Sequence, residues 1–495
     1  MSVYWPIIRR LITHPRYEAV VDDQRRWKSI ELLVGAMHLA AEIERRSKTK
    51  TVGLLLPTAG VFPMAMLATW FLGRTIVPIN YLLKREEMQY IIDHCETDIV
   101  LTVRPLVEFA KFEPEVKNLV YLEDLSFKGI PKLRIPARKS DDDLATLLYT
   151  SGTSGKPKGV MLTHGNLKSN LWQCVGLAKF ARNDTFLGVL PQFHSFGFTV
   201  LTLLPLTIGA RVVYTARFVP NKIFNLFRTE KPTVFIGIPS MYGALASAKS
   251  GTKEDLKSLR FAVSGGEPLP EAVSNAFRER FGVIINEGYG MTETAPVTNV
   301  CLPEEFRPHS VGRCVPDLEM RIVDPENGKV LGHGNDGEVR MRGPNVMKGY
   351  YKMPEETKET FDDDGFLRSG DLGRFDEDGH LYITGRIKDM IIVGGENVFP
   401  REIEEVLNAH EIVAASGVVG QTDSVRGELP IAFVELEEDA QFDEKALKAW
   451  CRERLAGYKV PREIRHIEKL PRTASGKIVR RDLRDLLKEA PASGE

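Results

Sequence analysis

The stretch Tyr149-Thr-Ser-Gly-Thr-Ser-Gly-Lys-Pro-Lys-Gly-Val160 places glycines, hydroxyl residues and lysines between two apolar runs, 144–148 and 160–162. This composition predicts a loop that wraps a polyphosphate. Glycines let backbone N–H groups approach the phosphate oxygens, hydroxyls donate hydrogen bonds and lysines supply positive charge. A flexible surface loop is the alternative interpretation of so glycine-rich a segment. The predicted phosphate-binding residues are Thr150, Ser151, Gly152, Thr153, Ser154, Gly155 and Lys158.

This loop does not match the Walker A motif, which needs four residues between its first glycine and Gly-Lys-Ser/Thr. Here two residues separate Gly152 from Gly155, and Pro157 stands where the motif has a hydroxyl residue. The sequence therefore excludes the P-loop arrangement and indicates a different class of phosphate-binding loop.

Length and composition describe an ordinary globular protein with more than one domain. A chain of 495 residues exceeds what a single core usually accommodates. Its 43% hydrophobic and 27% charged residues are typical of such proteins. Because 66 Lys and Arg face 67 Asp and Glu, no charge excess indicates nucleic acid or an anionic membrane as a partner. We therefore expect no nucleic-acid partner, and local groups must bind any anionic substrate.

The cysteines and the N-terminal residues indicate in which cellular compartment the protein is expected. The five cysteines are widely spaced, odd in number and free of any Cys-x-x-Cys pair, which favours reduced thiols in a cytoplasmic protein. Arg9-Arg10 is followed by polar residues instead of an apolar core, so neither a Sec nor a twin-arginine signal is expected. The most apolar stretch, 196–210, is too short to span a bilayer and is interpreted as protein interior. No integral membrane association is expected.

Two domains are predicted from the hydrophobic pattern. Short apolar runs such as 52–56, 99–102 and 283–287 alternate with helical segments such as 64–71 and 86–94, which is typical of a layered α/β domain reaching to about residue 380. After residue 386 the pattern changes to a few helices and strands of α+β type. We predict a large N-terminal layered α/β domain at 1–386 and a small mobile C-terminal α+β domain at 387–495.

The segment Gly332-His-Gly-Asn-Asp-Gly337 formally satisfies the G-x-G-x-x-G pattern of dinucleotide-binding sites. The residues after it, 338–343, alternate in the manner of a strand, whereas that motif must open a helix. A hairpin turn is the preferred interpretation.

Further motifs follow the phosphate loop in a fixed order. They are Pro191-Gln-Phe-His-Ser-Phe-Gly-Phe198, Ser264-Gly-Gly-Glu-Pro-Leu269, Asn286-Glu-Gly-Tyr-Gly-Met-Thr-Glu-Thr294, Phe366-Leu-Arg-Ser-Gly-Asp-Leu-Gly373, Gly385-Arg-Ile-Lys388 and Pro471-Arg-Thr-Ala-Ser-Gly-Lys-Ile478. With the loop, they resemble the adenylate-forming superfamily of acyl-CoA synthetases, aryl-CoA ligases, luciferases and peptide-synthetase adenylation domains. The likeness is greatest to fatty acyl-CoA synthetases, and it is looser before residue 149.

The resemblance implies roles for individual residues around ATP. Tyr289 would stack on adenine, Thr292 would contact phosphate, Glu293 would hold Mg²⁺, and Asp371 would accept hydrogen bonds from ribose. Arg386 would reach the nucleotide. The remaining residues implied in nucleotide binding are Gly265, Gly266, Glu267, Gly288, Gly290 and Met291.

The C-terminal motifs imply a moving domain. By resemblance, Lys388 occupies the hinge, Gly394 and Gly395 border the tunnel for the thiol, and Lys477 is the lysine that assists adenylation. A solvent-exposed lysine and a simple hairpin are the alternatives for Lys477 and for the two glycines.

The acyl site is expected at His194. Amino-acid-activating relatives have an aspartate immediately after the phenylalanine at this point, whereas this chain has His194, so an amino acid substrate is not expected. Phe193, Phe196 and Phe198 favour an apolar acyl group. The implied reaction joins a carboxylic acid, preferably a medium- or long-chain fatty acid, to coenzyme A through an acyl-AMP, with ATP and Mg²⁺.

Several alternatives stay open at the level of sequence. They are an aryl- or arylpropenoyl-CoA ligase, an acyl-carrier-protein ligase, a luciferase-like oxygenase and a nucleotide-binding regulator without catalysis. The last is disfavoured because Glu293, Asp371, Arg386 and Lys477 are all present. The sequence leaves a homodimer open as the assembly.

Overall fold

The computed structural model of the chain describes residues 2–151, 156–394, 396–423, 425–472 and 478–489. The helices are α1 (Trp5–Thr13), α2 (Ser29–Arg46), α3 (Val61–Phe71), α4 (Arg85–His94), α5 (Arg104–Ala110), α6 (His164–Ala178), α7 (Ser195–Phe198), α8 (Leu204–Ile208), α9 (Pro220–Glu230), α10 (Pro239–Ser247), α11 (Glu271–Phe281), α12 (Pro354–Thr360), α13 (Pro400–Asn408), α14 (Glu444–Arg454) and α15 (Arg480–Glu489).

The strands are β1 (Glu18–Val21), β2 (Arg26–Lys28), β3 (Thr51–Leu55), β4 (Thr75–Pro78), β5 (Ile99–Thr102), β6 (Asn118–Tyr121), β7 (Leu144–Ser151), β8 (Pro157–Thr163), β9 (Thr185–Gly188), β10 (Arg211–Tyr214), β11 (Val234–Gly237), β12 (Phe261–Gly265), β13 (Asn286–Gly290), β14 (Val297–Val300), β15 (Arg313–Cys314), β16 (Glu319–Val323), β17 (Gly337–Arg342), β18 (Leu367–Phe375), β19 (Leu381–Arg386), β20 (Ile391–Val393), β21 (Glu396–Val398), β22 (Val413–Asp423), β23 (Gly427–Leu436) and β24 (Glu463–His466). In the described part of the chain they form four sheets.

Two of these sheets are largely parallel and build the layered α/β part. One has the order β15-β14-β13-β12-β11-β9-β10-β1-β2, and the other has the order β6-β5-β3-β4-β7-β8. Parallel pairing runs from β13 through β12, β11, β9 and β10 to β1. Carboxyl ends of parallel strands meet at one edge of a sheet, and ligands commonly bind there. The motifs that follow β12 and end β13 therefore lie together.

A third sheet, of order β16-β17-β18-β19, is antiparallel and carries the motifs of Asp371 and Arg386. Within the α/β domain predicted to reach about residue 380, the alternation of strands and helices gives way to this antiparallel sheet from residue 319 onwards. Charged residues conceal this sheet in the sequence: Glu338 and Arg340 on β17 are buried and pair with each other at 2.7 Å. The strand predicted after the G-x-G-x-x-G segment is confirmed as β17.

The strand predicted at 283–287 begins later, at Asn286. Pairing with β12 starts at Val263 opposite Asn286 and continues to Gly265 opposite Gly288. The glycine-rich motif is thus itself the strand β13. Sequence pattern misses it because glycine carries no hydrophobic side chain.

The C-terminal part has a sheet of order β21-β20-β23-β22, with β24 beside β23. Helices α13, α14 and α15 accompany it, and its apolar core contains Ile403, Leu407 and Leu447. This core is distinct from the main core of the preceding residues. The expected large α/β domain with a separate small α+β domain is confirmed, while the division after Arg386 stays a prediction.

The apolar stretch from α7 to α8 lies in the interior, as expected. A π-helical turn, Thr199–Leu203, joins the two helices, and Phe198 packs against Phe62 and Trp70 at ring distances of 6.3 and 6.4 Å. Within the ranges given above, no helix combines the length and the apolar character needed to cross a membrane.

Candidate active site

A cleft of about 3420 Å³ lies where the sheets meet the small domain. Its walls come from the carboxyl ends of β12 and β13, the antiparallel sheet and the residues that flank the domain junction. It brings together nearly all the predicted site residues that the structure describes. These are Thr150, Lys158, His194, Gly265, Gly266, Glu267, Gly288, Tyr289, Gly290, Met291, Thr292, Glu293, Asp371, Arg386 and Lys388.

Asp371 is buried in this cleft and is held from two sides. The Tyr289 hydroxyl donates to its Oδ2 at 2.6 Å, and the Arg386 Nε lies 2.9 Å from its Oδ1. Burial raises the pKa of Tyr289, and the Asp371 carboxylate adds to this, while the same carboxylate raises the pKa of Arg386. Each carboxylate oxygen has a second lone pair, so Asp371 remains able to accept hydrogen bonds from two further hydroxyls.

Glu293 is also buried, in a short 3₁₀ turn after β13. The Tyr350 hydroxyl donates to its Oε1 at 2.9 Å. Burial raises the pKa of the Glu293 carboxyl, and the Tyr350 hydrogen bond opposes this. Lys158, on β8, places its Nζ 5.1 Å from the centre of the Tyr350 ring. Tyr350 therefore joins the phosphate-loop strand to the carboxylate.

Thr292 lies beside the segment that contains His194. The Thr292 hydroxyl lies 3.1 Å from the hydroxyl of Ser195, the first residue of α7. His194 precedes that helix, and its Nδ1 accepts a hydrogen bond from the Phe196 backbone N–H at 3.4 Å.

Two glycines allow close approach of backbone to backbone beside these groups. A Cβ on Gly265 would lie 3.2 Å from the Phe196 ring and from the Gly288 carbonyl oxygen. A Cβ on Gly290 would lie 2.0 Å from the Pro296 carbonyl oxygen, which no side chain can tolerate. Gly265 therefore sets the width of the cleft next to Phe196.

The small domain borders the cleft through the residues that follow the predicted hinge. Partial burial lowers the pKa of Lys388, and the positive charge of Arg386 lowers it further. Arg480 on α15 lies 3.5 Å from Asp389 and 2.7 Å from Glu404. Arg472 and Ile478, which precede and follow residues 473–477 in the sequence, line the cleft.

Several predicted site residues either do not line the cleft or lie outside the described residues. Gly394 lies outside the cleft, in the turn between β20 and β21, where its backbone N–H donates to the Arg426 carbonyl at 2.7 Å. Its predicted place beside a thiol tunnel stays a prediction. The residues of the sequence analysis that lie outside the described ranges are Gly152, Thr153, Ser154, Gly155, Gly395 and Lys477.

An apolar branch of the cleft runs away from His194 along β12. Alternate residues of a strand face the same side, so Gly265, Val263 and Phe261 form one wall. A face of α6 contributes Cys174, Leu177 and Ala178, spaced three and four residues apart.

Phe180, two residues after α6, also lines this part of the cleft. The Phe180 ring lies 5.7 Å from the Phe261 ring and 5.2 Å from the Phe186 ring. Arg260 lies 5.7 Å from the Phe180 ring and pairs with Asp184 at 2.6 Å. A charged pair therefore lies close to the Phe180 ring, which lines the cleft.

Sequence reasoning missed Tyr350, Ser195 and the α6 wall. Tyr350 and Glu293 are 57 residues apart in the sequence. No local sequence pattern indicates that Tyr350 belongs to the polar part of the site. The period of α6 indicates a half-buried helix, but it does not say what the apolar face covers.

Comparisons with known proteins agree with this arrangement. Residues 9–351 match the family model described as AMP-binding enzyme, and residues 402–477 match the AMP-binding enzyme C-terminal domain. A long-chain-fatty-acid–CoA ligase of Bacillus subtilis (strain 168) is 33% identical over 497 residues, covering 92% of this chain and 89% of the relative. A feruloyl-CoA synthase of Amycolatopsis sp is 38% identical over 371 residues, covering 71% of this chain and 74% of the relative.

Among solved structures, ATP-bound MatB from Rhodopseudomonas palustris is 31% identical, with a TM-score of 0.90 and 99% of each chain covered. The apo form of MatB gives a TM-score of 0.80 at 30% identity and the same coverage. The two family models together, the long-chain-fatty-acid–CoA ligase and MatB extend over the large and the small domain. The chain therefore belongs to the AMP-binding enzyme family and is an AMP-forming acyl-CoA synthetase.

Proposed function

We propose that the protein activates a medium- or long-chain fatty acid. The carboxylate attacks the α-phosphate of ATP, which forms acyl-AMP and releases pyrophosphate; the thiol of coenzyme A then attacks the acyl carbonyl, and AMP leaves. Neither step needs a nucleophilic side chain, so positioning, charge and exclusion of water are what the protein supplies.

The apolar branch is the observation that carries the choice of acid. It starts beside His194 and Phe196, where the carboxylate would meet the nucleotide, and it follows β12 from Gly265 to Phe261. Strands rise about 3.3 Å per residue, so these four steps extend roughly 13 Å. An unbranched acyl chain fills such a narrow apolar path, and each buried methylene favours binding by about 0.8 kcal/mol.

The polar end of the cleft fits a nucleotide. Asp371, oriented by Tyr289 and Arg386, would accept hydrogen bonds from the ribose hydroxyls. Arg386 and the phosphate-loop lysine Lys158 would place positive charge near the phosphates. Thr292 would donate to a phosphate oxygen.

The oxygen donors at Glu293 fit Mg²⁺. Mg²⁺ prefers oxygen ligands and is usually bound by one or two carboxylates together with substrate phosphates and water. Glu293 offers one buried carboxylate beside the hydroxyls of Thr292 and Ser195. When bound there, the ion would neutralise charge on the phosphate oxygens.

Two arrangements of the small domain would serve the two steps. Adenylation needs a cation at the α-phosphate, for which we propose Lys477, whereas thiol attack needs an open path to the acyl carbonyl. Arg472 and Ile478, which lie on either side of Lys477 in the sequence, line the cleft, and the fold resembles ATP-bound MatB more than apo MatB. These observations support an adenylation arrangement here, with rotation about Lys388 before the second step.

The second candidate is an aryl- or arylpropenoyl-CoA ligase. The observation that favours it is the 38% identity to a feruloyl-CoA synthase. Its substrate would fill the part of the branch near Phe196 and leave the part near Phe261 empty.

A panel of acids separates the two candidates. AMP and thioester formation should be measured with saturated fatty acids of increasing length, with benzoate and with ferulate. We expect kcat/KM to rise with chain length and to be highest for a medium or long fatty acid. The highest kcat/KM with an aromatic acid would overturn the proposal.

A further inference from the structure

Residues 126–139, here called the basic segment, combine positive charge with exposed apolar side chains. They contain Lys128, Lys132, Arg134, Arg138 and Lys139, and no acidic residue. Ile130, Leu133 and Ile135 are 99%, 82% and 86% exposed. Balanced charge over the whole chain conceals this local excess.

The basic segment has a defined path although it forms no helix or strand. The Ala137 N–H donates to the Phe71 carbonyl at 3.0 Å, and the Ser2 hydroxyl donates to the Lys139 carbonyl at 2.8 Å. Arg134 pairs with Glu44 of α2 at 2.6 Å. The backbone is therefore held against α2 and α3 while the three apolar side chains extend away from the protein.

Arg134 and Lys139 of the basic segment pair with Glu44 and Asp143, so the charge that no ion pair within the described residues offsets lies on Lys128, Lys132 and Arg138. Asp124 pairs with Arg104 at 2.9 Å, and Asp141 pairs with Lys168 at 2.5 Å. Glu42 on α2 pairs with Arg45 and Arg46. Three cations of the basic segment therefore remain for an anionic partner.

Phe127 connects the basic segment to the cleft. It is 36% exposed, packs edge-on against His38 of α2 at 6.2 Å and lines the cleft that contains the site. A ligand that covers the segment would thus lie beside an entrance to the cleft.

We propose that the basic segment docks on an anionic lipid surface. Lysines and arginines attract anionic headgroups, and exposed apolar side chains enter the boundary between headgroups and acyl chains. Ile130, Leu133 and Ile135 are the inserting side chains, and Lys128, Lys132 and Arg138 contact headgroups. Docking of this kind is peripheral and needs no spanning helix. It places the cleft entrance next to a phase that dissolves fatty acids, and its test does not depend on the acid that the enzyme prefers.

Vesicle co-sedimentation of the full-length protein tests the proposal. Vesicles of phosphatidylcholine alone are compared with vesicles that contain phosphatidylglycerol at about one third. We expect at least about tenfold stronger partitioning to the anionic vesicles at low salt, with most of the difference lost at high salt because the charges are screened.

Two triple variants separate charge from insertion. Lys128→Gln, Lys132→Gln and Arg138→Gln together should remove the preference for anionic vesicles. Ile130→Ser, Leu133→Ser and Ile135→Ser together should weaken binding about tenfold or more at unchanged charge. Because all six side chains are solvent-exposed or lie outside the core, the thermal midpoint should stay the same.

Val330→Ser and Val425→Ser are the matched controls, since these valines are 60% and 87% exposed elsewhere. They should bind vesicles as the wild type does. Absence of wild-type binding to anionic vesicles, or equal loss in controls and triple variants, would overturn the proposal. Binding of the basic segment to an acidic carrier protein, without binding to vesicles, would also overturn the proposal. If the apolar triple variant does not fold, Ile130→Ser alone tests whether the apolar side chains insert into the lipid surface. We expect this single variant to bind vesicles several-fold more weakly.

Discussion

Val263→Phe should shorten the acyl chain that the enzyme accepts. Val263 lies in the middle of the apolar branch, two residues from Gly265 at its start and two from Phe261 at its end, and it is 4% exposed. At about 3.3 Å per residue, the ring would stand roughly 7 Å from the start of the branch. The polar end of the cleft would be untouched.

The size of the effect follows from the methylenes that lose their contacts. Each contributes about 0.8 kcal/mol, which corresponds to roughly fourfold in kcat/KM. A fatty acid that loses four methylene contacts should therefore lose roughly 200-fold in kcat/KM. A short acid that ends before Val263 should lose little.

The assay is pyrophosphate release across a series of saturated acids, with wild type, Val263→Phe and Val263→Ala compared. Val263→Ala is the control, because it changes the same position without narrowing the branch. KM for ATP and the thermal midpoint report on the rest of the fold. An unchanged ratio of long- to short-chain kcat/KM in folded Val263→Phe would refute the assignment of the branch, as would an equal loss for short and long acids.

Three further predictions address the polar groups, the hinge and the backbone. Glu293→Gln and Asp371→Ala should both slow adenylation, but raised Mg²⁺ should partly restore only Glu293→Gln, since only that change removes a hard anionic ligand; equal rescue would show that the roles are misassigned. Lys477→Ala should lose acyl-AMP formation, by about 10²–10³ in rate, yet still convert supplied acyl-AMP and coenzyme A to thioester. Lys388→Pro, which restricts the hinge, should show the reverse. Gly290→Ala should lower stability by about 1–3 kcal/mol, measured by denaturant unfolding, because its Cβ would overlap a facing backbone carbonyl.

The resemblance of short glycine-rich motifs to the adenylate-forming superfamily made the polar end of the cleft predictable. Tyr289 and Asp371 are 82 residues apart, yet both were expected at the nucleotide, and the structure joins them by a hydrogen bond of 2.6 Å. Short motifs with unusual residue types survive as signals because each string needs its glycines and polar groups for its own local geometry.

The antiparallel sheet and the acyl branch were not predictable in the same way. Buried Arg340 lies 2.7 Å from Glu338 and 3.1 Å from Asp362, so a buried strand contains charged residues that hydropathy assigns to the surface. In the apolar branch of the cleft, Phe180 and Phe261 come from distant segments and are ordinary core residues in the sequence. Only their packing, with ring centres 5.7 Å apart, shows that they line the same part of the cleft.

Transfer of carboxylate oxygen into AMP is the most direct test of the proposed reaction. The purified enzyme is given dodecanoate labelled with oxygen-18 in its carboxylate, together with ATP, Mg²⁺ and coenzyme A, and the products are analysed by mass spectrometry. Because the carboxylate attacks the α-phosphate and AMP leaves in the second step, AMP should carry one labelled oxygen, pyrophosphate should carry none, and dodecanoyl-CoA should form. Label in pyrophosphate or phosphate, or thioester with unlabelled AMP, would contradict the account.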